Sequence, residues 1–465
     1  MPERRLFLTG KLAEKNLHRV LEAMQPLAFE AVVQQLGVNV AGLMTADMIR
    51  RRLDMPEGID RVIVPGRCRG DLDALSRHYG IAVERGPDEL KDLPQFFGHR
   101  EKQPDLSRYD IQIFAEIVDA PDLDIATILQ RARGYREQGA DVIDIGCLPN
   151  TPFPHLAETV QALRAESFRV SVDSVDSHEL LTGGKAGADY LLSLRQDTLW
   201  IADEVAATPV VIPAEPGDID SLLQAMETLD KKGHRYLADP ILDPMLFGFT
   251  ESLCRYQQLR QQRPDAEILM GVCNVTELTD ADTNGINTLL IGIASELGIT
   301  HILSTQVSPH ARRAISEADV ARRTMYLARE LNSLPRNLDN RLLGMHERRP
   351  FPYSKAEIEE TAAAVRDPSY RVQVSDAGIH VYNRDGMQTG TDPFALFPKL
   401  DFKGDTGHAF YMGTELARAQ IAWQLGKRHV QDQELDWGCA CDKVEEDLIC
   451  PATPGSTLGK TGTGS

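Results

Sequence analysis

The chain has 465 residues, of which 42% are hydrophobic and 26% charged, an ordinary globular composition with length for two or three domains. Its 50 basic side chains face 69 acidic ones, a net charge of −19. That balance repels phosphate backbones and anionic lipid, so nucleic acid and membrane surfaces are set aside as partners.

The opening stretch "MPERRLFLTGK" has too short an apolar run for a signal-peptide core, and nothing in the chain approaches the ~20 apolar residues of a membrane span. Seven cysteines, an odd number scattered from Cys68 to Cys450, form no disulfide framework. A reduced, cytoplasmic protein is expected. In that compartment the Asn274-Val275-Thr276 sequon is not a glycosylation site.

Residues 1–108 read as a small α/β layer domain of Rossmann or flavodoxin-like type. "RLFLTG" precedes a helical "KNLHRVLEAM", "VNVAGLM" precedes "TADMIRRRL", and "RVIVPG" precedes "DLDALSRHYG" and "IAVERG". Thr9-Gly10-Lys11 falls at a strand-to-helix turn where amides can hold an anion, but this tripeptide alone reads as a plain turn. The polar stretch 97–110, with Pro104, reads as a linker.

Residues 111–335 are more regular. The strand-like pieces are "IQIFAEIV", "DVIDIGC", "RVSVDSV", "DYLLSLR", "TPVVIPAE", "RYLADPIL", "EILMGVCNV" and "HILSTQV", with helical stretches between and after them. Eight strands alternating with helices in ~225 residues match a (β/α)₈ TIM barrel. Several strands are near-continuous apolar runs, as burial on both faces requires. Residues 336–437 change character: "YRVQVSDAGIHVYN" signals a hairpin and "TELARAQIAWQLG" an amphipathic helix, which together make a small α+β module. Residues 438–465 read as a disordered tail. Its "GSTLGKT" lacks the first glycine of a P-loop and the flanking strand and helix, and is discarded. Cys439, Cys441 and Cys450 offer three thiols without a nearby histidine, so no metal site is assigned there.

A barrel keeps its chemistry where strands end and the following loops begin. Those ends carry Glu116 and Asp119, Asp144, Asp173 and Asp176, Ser193 and Arg195, Glu215, Asp239 and Asp243, Asn274, and Ser304 to Gln306. Each alone has a plain reading as a helix cap or turn former. Four carboxylate-bearing ends at one mouth are harder to explain as caps. Without histidine such a set suits Mg²⁺ rather than Zn²⁺, or a glycosidase pair, or a flat heterocycle rich in N–H donors such as a pterin. Aromatic residues, only 6% of the chain, are scarce for a sugar site.

"GADVIDIGC", "FRVSVDS", "LADPILDPMLFGFTESL" and "ILMGVCNVTE" resemble, in order and spacing, the pterin-binding barrel of dihydropteroate synthases and tetrahydropterin-dependent methyltransferases. The resemblance spans residues ~111–335, the stretch that reads as a (β/α)₈ barrel. The terminal "GIHVYNRDG…GTDPFALFPKLD…HAFYMGTELARAQIAWQLGKR" is similar to one subgroup, the dihydropteroate-synthase-like proteins of organisms that make tetrahydromethanopterin. The resemblance implies pterin contacts from Glu116, Asp144, Asp173, Asn274 and one of Asp239 or Asp243. Asp239-Pro240 fits the methyltransferase pattern, and Asp243, followed by "PMLFGFTE", the synthase pattern.

The chain also departs from the synthases. "FAEIVDAPD" replaces their "NVTPDSFS"-like loop, Asn274-Val275 stand at their Arg-Lys positions, and "LSTQ" replaces their Arg-x-His. Both usual cationic anchors for a diphosphate are absent from their places. Substitute candidates are Arg195 and the "SPHARR" residues His310, Arg312 and Arg313, at the loop where barrels often bind phosphate. The resemblance implies a transferase that joins a dihydropterin-6-methyl diphosphate to an arylamine, in that pathway a ribofuranosyl-aminobenzene phosphate. Mg²⁺ can accompany the diphosphate; no resident metal is assigned, and no residue is assigned as catalytic. Family habit implies a homodimer. A corrinoid-dependent methyltransferase and a non-catalytic pterin-binding protein are the alternatives.

Overall fold

A computed structural model describes residues 2–98 and 105–442. Cys450, the "GSTLGKT" stretch, Pro104 and most of the expected tail lie outside the described residues. The chain forms two units, one gathering residues 1–103 with 345–437, the other residues 104–344 with 438–441.

In the first unit, β1 (Glu3–Thr9), β2 (Phe29–Gln35), β3 (Arg61–Val64) and β4 (Ala82–Arg85) make a parallel sheet in the order β2-β1-β3-β4. The second strand is Phe29–Gln35 rather than the expected "VNVAGLM". "FEAVVQQ" pairs with β1 at all seven positions, Glu3 with Phe29 through Thr9 with Gln35. Residues 38–41 instead cross the carboxy end of β1, where Val38 and Asn39 carbonyls accept from the amides of Lys11 and Leu12 at 2.9 and 3.1 Å. The turn after β1 thus spends the amides of Lys11 and Leu12 on the segment that follows β2.

The second unit holds β5 (Gln112–Ile117), β6 (Val142–Gly146), β7 (Arg169–Asp173), β8 (Tyr190–Leu194), β9 (Thr208–Val211), β10 (Leu237–Ala238), β11 (Leu269–Gly271) and β12 (His301–Ser304). All run parallel in the order β10-β9-β8-β7-β6-β5-β12-β11. A parallel bridge from Ala238 to Ile268, with the Ala238 amide donating to Glu267 at 2.9 Å, joins β10 to β11 and closes the barrel. The expected (β/α)₈ barrel is therefore present. Within it, the strand in "ILMGVCNV" stops at Gly271, and Cys273–Thr276 is a short helix.

Alternation along the strands sorts side chains between the barrel's two faces. Ile113, Ala115 and Ile117 of β5 pack with Ile128 and Ala132 of the following helix, Ile125–Glu137. Phe114 takes the other face and packs inside the barrel with Val142, Tyr190, Leu192, Val210, Leu237, Leu269 and Leu303. At the amino end, Arg322 of helix Ala314–Glu330 is buried over Tyr109, its guanidinium 3.5 Å from the ring centre. It donates to the carbonyls of Ile111 and Gly139 at 2.6 and 2.8 Å and pairs with Asp141 and Asp319. This ties the last helix to the starts of β5 and β6.

Residues 345–437 add β13 (Arg371–Ser375), β14 (Gly378–Asn383) and β15 (Gly386–Gly390), an antiparallel sheet backed by helix Thr406–Leu425. Among the described residues no helix is long and apolar enough to cross a membrane.

Candidate functional site

One residue beyond the interior apolar layer on the same face, two positions along each strand, polar side chains begin. Glu116 follows Phe114 on β5 and Asp144 follows Val142 on β6; Ser171 and Asp173 share the corresponding face of β7. The pairing register sets Glu116 beside Asp144, Asp144 beside Ser171, and Gly146 beside Asp173. Glu116, Asp144 and Asp173 each bring a carboxylate oxygen within 4.8 Å of the others. Gly146 makes the room: a Cβ there would stand 2.6 Å from Oε1 of Glu116.

Asp144, Asp173 and Asp239 have neutral partners rather than cations, and Glu116 has no hydrogen-bond partner among the described residues. The Ser171 hydroxyl donates to Oδ1 of Asp144, and the Ser193 hydroxyl to Oδ1 of Asp173 at 2.6 Å. Asp239, just past β10, accepts from the Tyr256 hydroxyl at 2.7 Å and from the Ile241 amide at 2.8 Å. Oδ2 of the fully buried Asp144 has no partner among the described residues. None of the four carboxylates makes an ion pair there either.

The physical consequence is retained protons. Burial first, then the charge of Asp173, pushes the Glu116 carboxyl up to about 8. Burial raises Asp144 well above the carboxylate range, with Glu116 and Asp173 adding repulsion and the Ser171 hydrogen bond opposing. Asp173 is raised by burial against the Ser193 hydrogen bond. Asp239 reaches about 6 through burial, opposed by Tyr256 and the Ile241 amide. Like charges this close in a poorly solvated pocket cannot all ionise, so the cluster titrates as a unit.

Two residues supporting this cluster have strained backbones. Ser193 has φ of +70° where the pairing of β8 with β9 shifts register. Ile241 has φ of +64°, a conformation that a β-branched residue rarely takes. Such strain persists only where surrounding contacts hold it, and it concentrates at functional sites.

Asp243 does not join the four carboxylates. Its Oδ2 takes Arg255 at 2.6 Å, and that guanidinium also donates to the Ile241 carbonyl at 2.9 Å. Asn274 sits on the short helix after β11 and donates its amide to the Leu242 carbonyl at 2.8 Å, joining that helix to the loop after β10. Arg195 is exposed, its backbone amide held by the Thr198 hydroxyl. Arg312 is exposed against the Pro309 carbonyl, and Arg313 precedes the final barrel helix. His310 meets the Thr276 carbonyl at 3.1 Å. In that loop the amides of Val307 and Ser308 already donate to Glu277 at 2.9 and 2.8 Å. Burial raises the Glu277 carboxyl, but these hydrogen bonds outweigh it and hold it below its usual range.

Ser171 and Tyr256 are site residues that sequence reasoning missed, and Ser193, named there as a strand-end residue, had no partner assigned. Ser171 carried a signal, since it alternates with Asp173 in "VSVDS" on one strand face. Tyr256 carried none, because its link to Asp239 spans a loop and a helical turn. Cys439 is buried in the turn Gly438–Ala440, its amide on the Arg341 carbonyl at 2.7 Å, and Cys441 is exposed. Among the described residues the carboxylate triad is the tight acidic group able to surround a cation.

These features define a closed parallel (β/α)₈ barrel whose mouth is lined by uncompensated carboxylates. Residues 3–88, outside that barrel, match a family described as "Family of unknown function (DUF6513)". An uncharacterized protein of Methanocaldococcus jannaschii is 26% identical, over 92% of this chain and 98% of its own. Among solved structures, the 7,8-dihydropteroate synthase of Vibrio fischeri ES114 is similar with 14% identity and a TM-score of 0.39, covering 48% of this chain and 94% of its own. The Coxiella burnetii dihydropteroate synthase in complex with pteroic acid is similar at 17% identity, 48% and 94% coverage, and a TM-score of 0.39.

Proposed function

We propose that the barrel mouth binds the aminopyrimidinone edge of a pterin and that the protein is a dihydropteroate-synthase-like transferase. The observation that carries this reading is the set of four carboxylates at the mouth without a cationic partner: Asp144, buried, and Glu116, Asp173 and Asp239, half-buried, with Asp144, Asp173 and Asp239 held by hydroxyls and an amide. A pterin edge presents adjacent N–H donors, which match carboxylate acceptors and relieve their repulsion. Asp239, with Tyr256 behind it, is assigned to the ligand. Asp243 is assigned to Arg255 and the shape of its loop.

In the reaction, the arylamine nitrogen bonds to the 6-methylene carbon, the carbon–oxygen bond to diphosphate breaks, and the amine loses a proton. The cluster's part is to orient the ring. The leaving charge falls to groups at the rim, of which Arg195, Arg312 and Arg313 are the candidates. A ribofuranosyl-aminobenzene phosphate is the proposed amine. The triad also fits a hard divalent cation by its oxygen donors. Glu116, Asp144 and Asp173 would hold it and it would supply charge stabilisation, but there it competes with the pterin edge.

A second reading is favoured by Asp239 lacking the cationic partner that Asp243 has in Arg255. With Glu116 it fits the methyltransferase pattern, whose methyl acceptor is a corrinoid protein. Diphosphate release from dihydropterin-methyl diphosphate with each arylamine separates the two. Release with one amine supports the transferase; pterin binding without release from either amine rejects it.

A further inference from the structure

The four-stranded sheet of the first unit has its own switch point. The chain leaves β1 to β2 on one side and returns to β3 on the other, so the connections after β1 and β3 diverge. In open α/β sheets, ligands occupy the crevice that such divergence leaves at the carboxy ends of the strands. A cavity of about 290 Å³ lies there, lined by the ends of β1 and β3, the loops after β2 and β4, and residues between Tyr353 and Tyr382.

Residues 11–14, after β1, have no backbone amide left for a phosphate. The amides of Lys11 and Leu12 are spent on Val38 and Asn39, and those of Ala13 and Glu14 on the Gly10 carbonyl. Asp88 and Glu89 add negative charge to the wall. Oε2 of Glu89 accepts from the Tyr353 hydroxyl at 2.7 Å, while Oε1 has no donor among the described residues. Burial holds this carboxyl above its usual range, with the Tyr353 hydrogen bond opposing. A half-buried carboxylate oxygen without a donor, at the wall of a cavity, is an acceptor that a ligand N–H can meet. Leu12, Leu17, Leu90 and the Tyr382 ring give the cavity apolar faces that suit a flat body, beside Asn16, Arg67, Gln373 and Arg371, the last paired with Asp367.

We propose that this cavity is a second ligand site, separate from the barrel mouth, for an uncharged or cationic flat nitrogen heterocycle that donates an N–H to Oε1 of Glu89. Guanine and pterin rings share the required amino-pyrimidinone edge, so a free nucleoside and a pterin are two sources of the same chemistry. The site takes the base without help from a phosphate.

Calorimetric titration of the full-length Asp173→Asn protein, chosen because the proposed function makes Asp173 part of the barrel-mouth site, tests this with guanosine, guanosine monophosphate and 6-methylpterin. At least one ring is expected to bind, with guanosine and its monophosphate within about threefold of each other. Glu89→Gln is expected to weaken binding at least tenfold. Thr361→Trp, which fills the cavity from helix Lys355–Ala364, is expected to abolish it. Circular dichroism and melting establish that each variant is folded, and the second substitution serves if the first is not. Absence of binding by all three ligands, or binding equal in the folded variants, overturns the proposal. So does monophosphate binding more than tenfold tighter than guanosine. Loss of pterin binding at the mouth with retention here, or the reverse, separates the two sites.

Discussion

Ser193 holds Asp173 through a 2.6 Å hydrogen bond made from a left-handed backbone, φ +70°, at the register shift of β8. The strained geometry brings the hydroxyl to the carboxylate. Both Ser193→Ala and Ser193→Gly remove the hydroxyl, but only glycine accepts that φ without cost. We expect the glycine variant to be more stable than the alanine variant by about 1 kcal/mol in denaturant unfolding. Both are expected to lose pterin affinity. Equal stabilities would remove the strain argument.

Glu116 makes stability depend on pH in an unusual direction. Its folded value, about 8, lies above the ordinary carboxylate value, so the native state binds a proton that the unfolded chain has released. That contribution is complete at pH below about 4.5 and is lost as pH rises through about 8. His301, lowered to about 4 mainly by burial, acts oppositely below pH 6.5, so the decline shows most clearly between about pH 6.5 and 8. Glu116→Gln should flatten this decline, by roughly 1–3 kcal/mol over the window in chemical denaturation. A variant with the wild-type slope would exclude Glu116 as its source.

Ligand binding should be linked to the same protons. N–H donors favour the ionised carboxylates, so pterin binding at pH 7 should release protons from the cluster. Titrations in buffers of different ionisation enthalpy measure this directly. Proton uptake would contradict the proposed polarity of the site.

Asp239 and Asp243, four positions apart, should respond differently to the same change. Asp239→Asn is expected to weaken pterin binding at least tenfold, by about 1.4 kcal/mol or more. Asp243→Asn leaves the largely buried Arg255 without its charge partner and should cost about 1–3 kcal/mol of stability with affinity kept. The opposite pattern in binding and melting would exchange the two assignments.

Gly146 tests the packing of the triad. The Cβ of Gly146→Ala would stand 2.6 Å from Glu116 Oε1 and 3.0 Å from Val118 Cα. Displacement of Glu116 should weaken pterin binding, with about 1–3 kcal/mol of stability lost to overpacking. Unchanged affinity in a folded variant would show that Glu116 does not face the ligand.

The barrel was legible because its signals are local. Near-continuous apolar strands such as "DVIDIG" and amphipathic helices recur along the chain, and burial on both strand faces leaves that pattern in any parallel sheet. In the first unit the same reasoning placed a strand at "VNVAGLM", because its apolar residues resemble a strand until its neighbours are known. Seven paired positions between β1 and Phe29–Gln35 decide otherwise.

The candidate site divides in the same way. That acidic residues stand at the ends of several strands is readable from the chain, because strand ends show where apolar runs stop. Which of them meet depends on register and on contacts between distant segments. Register set Glu116 beside Asp144 and placed Gly146 where Glu116 needs space. Ser193 was turned toward Asp173, and Tyr256 brought across to Asp239, by contacts between segments 20 and 17 residues apart. Arg255 drew Asp243 away over 12 residues. Proton affinity followed from those meetings, since burial and neighbouring charge belong to the folded environment and not to the residue type.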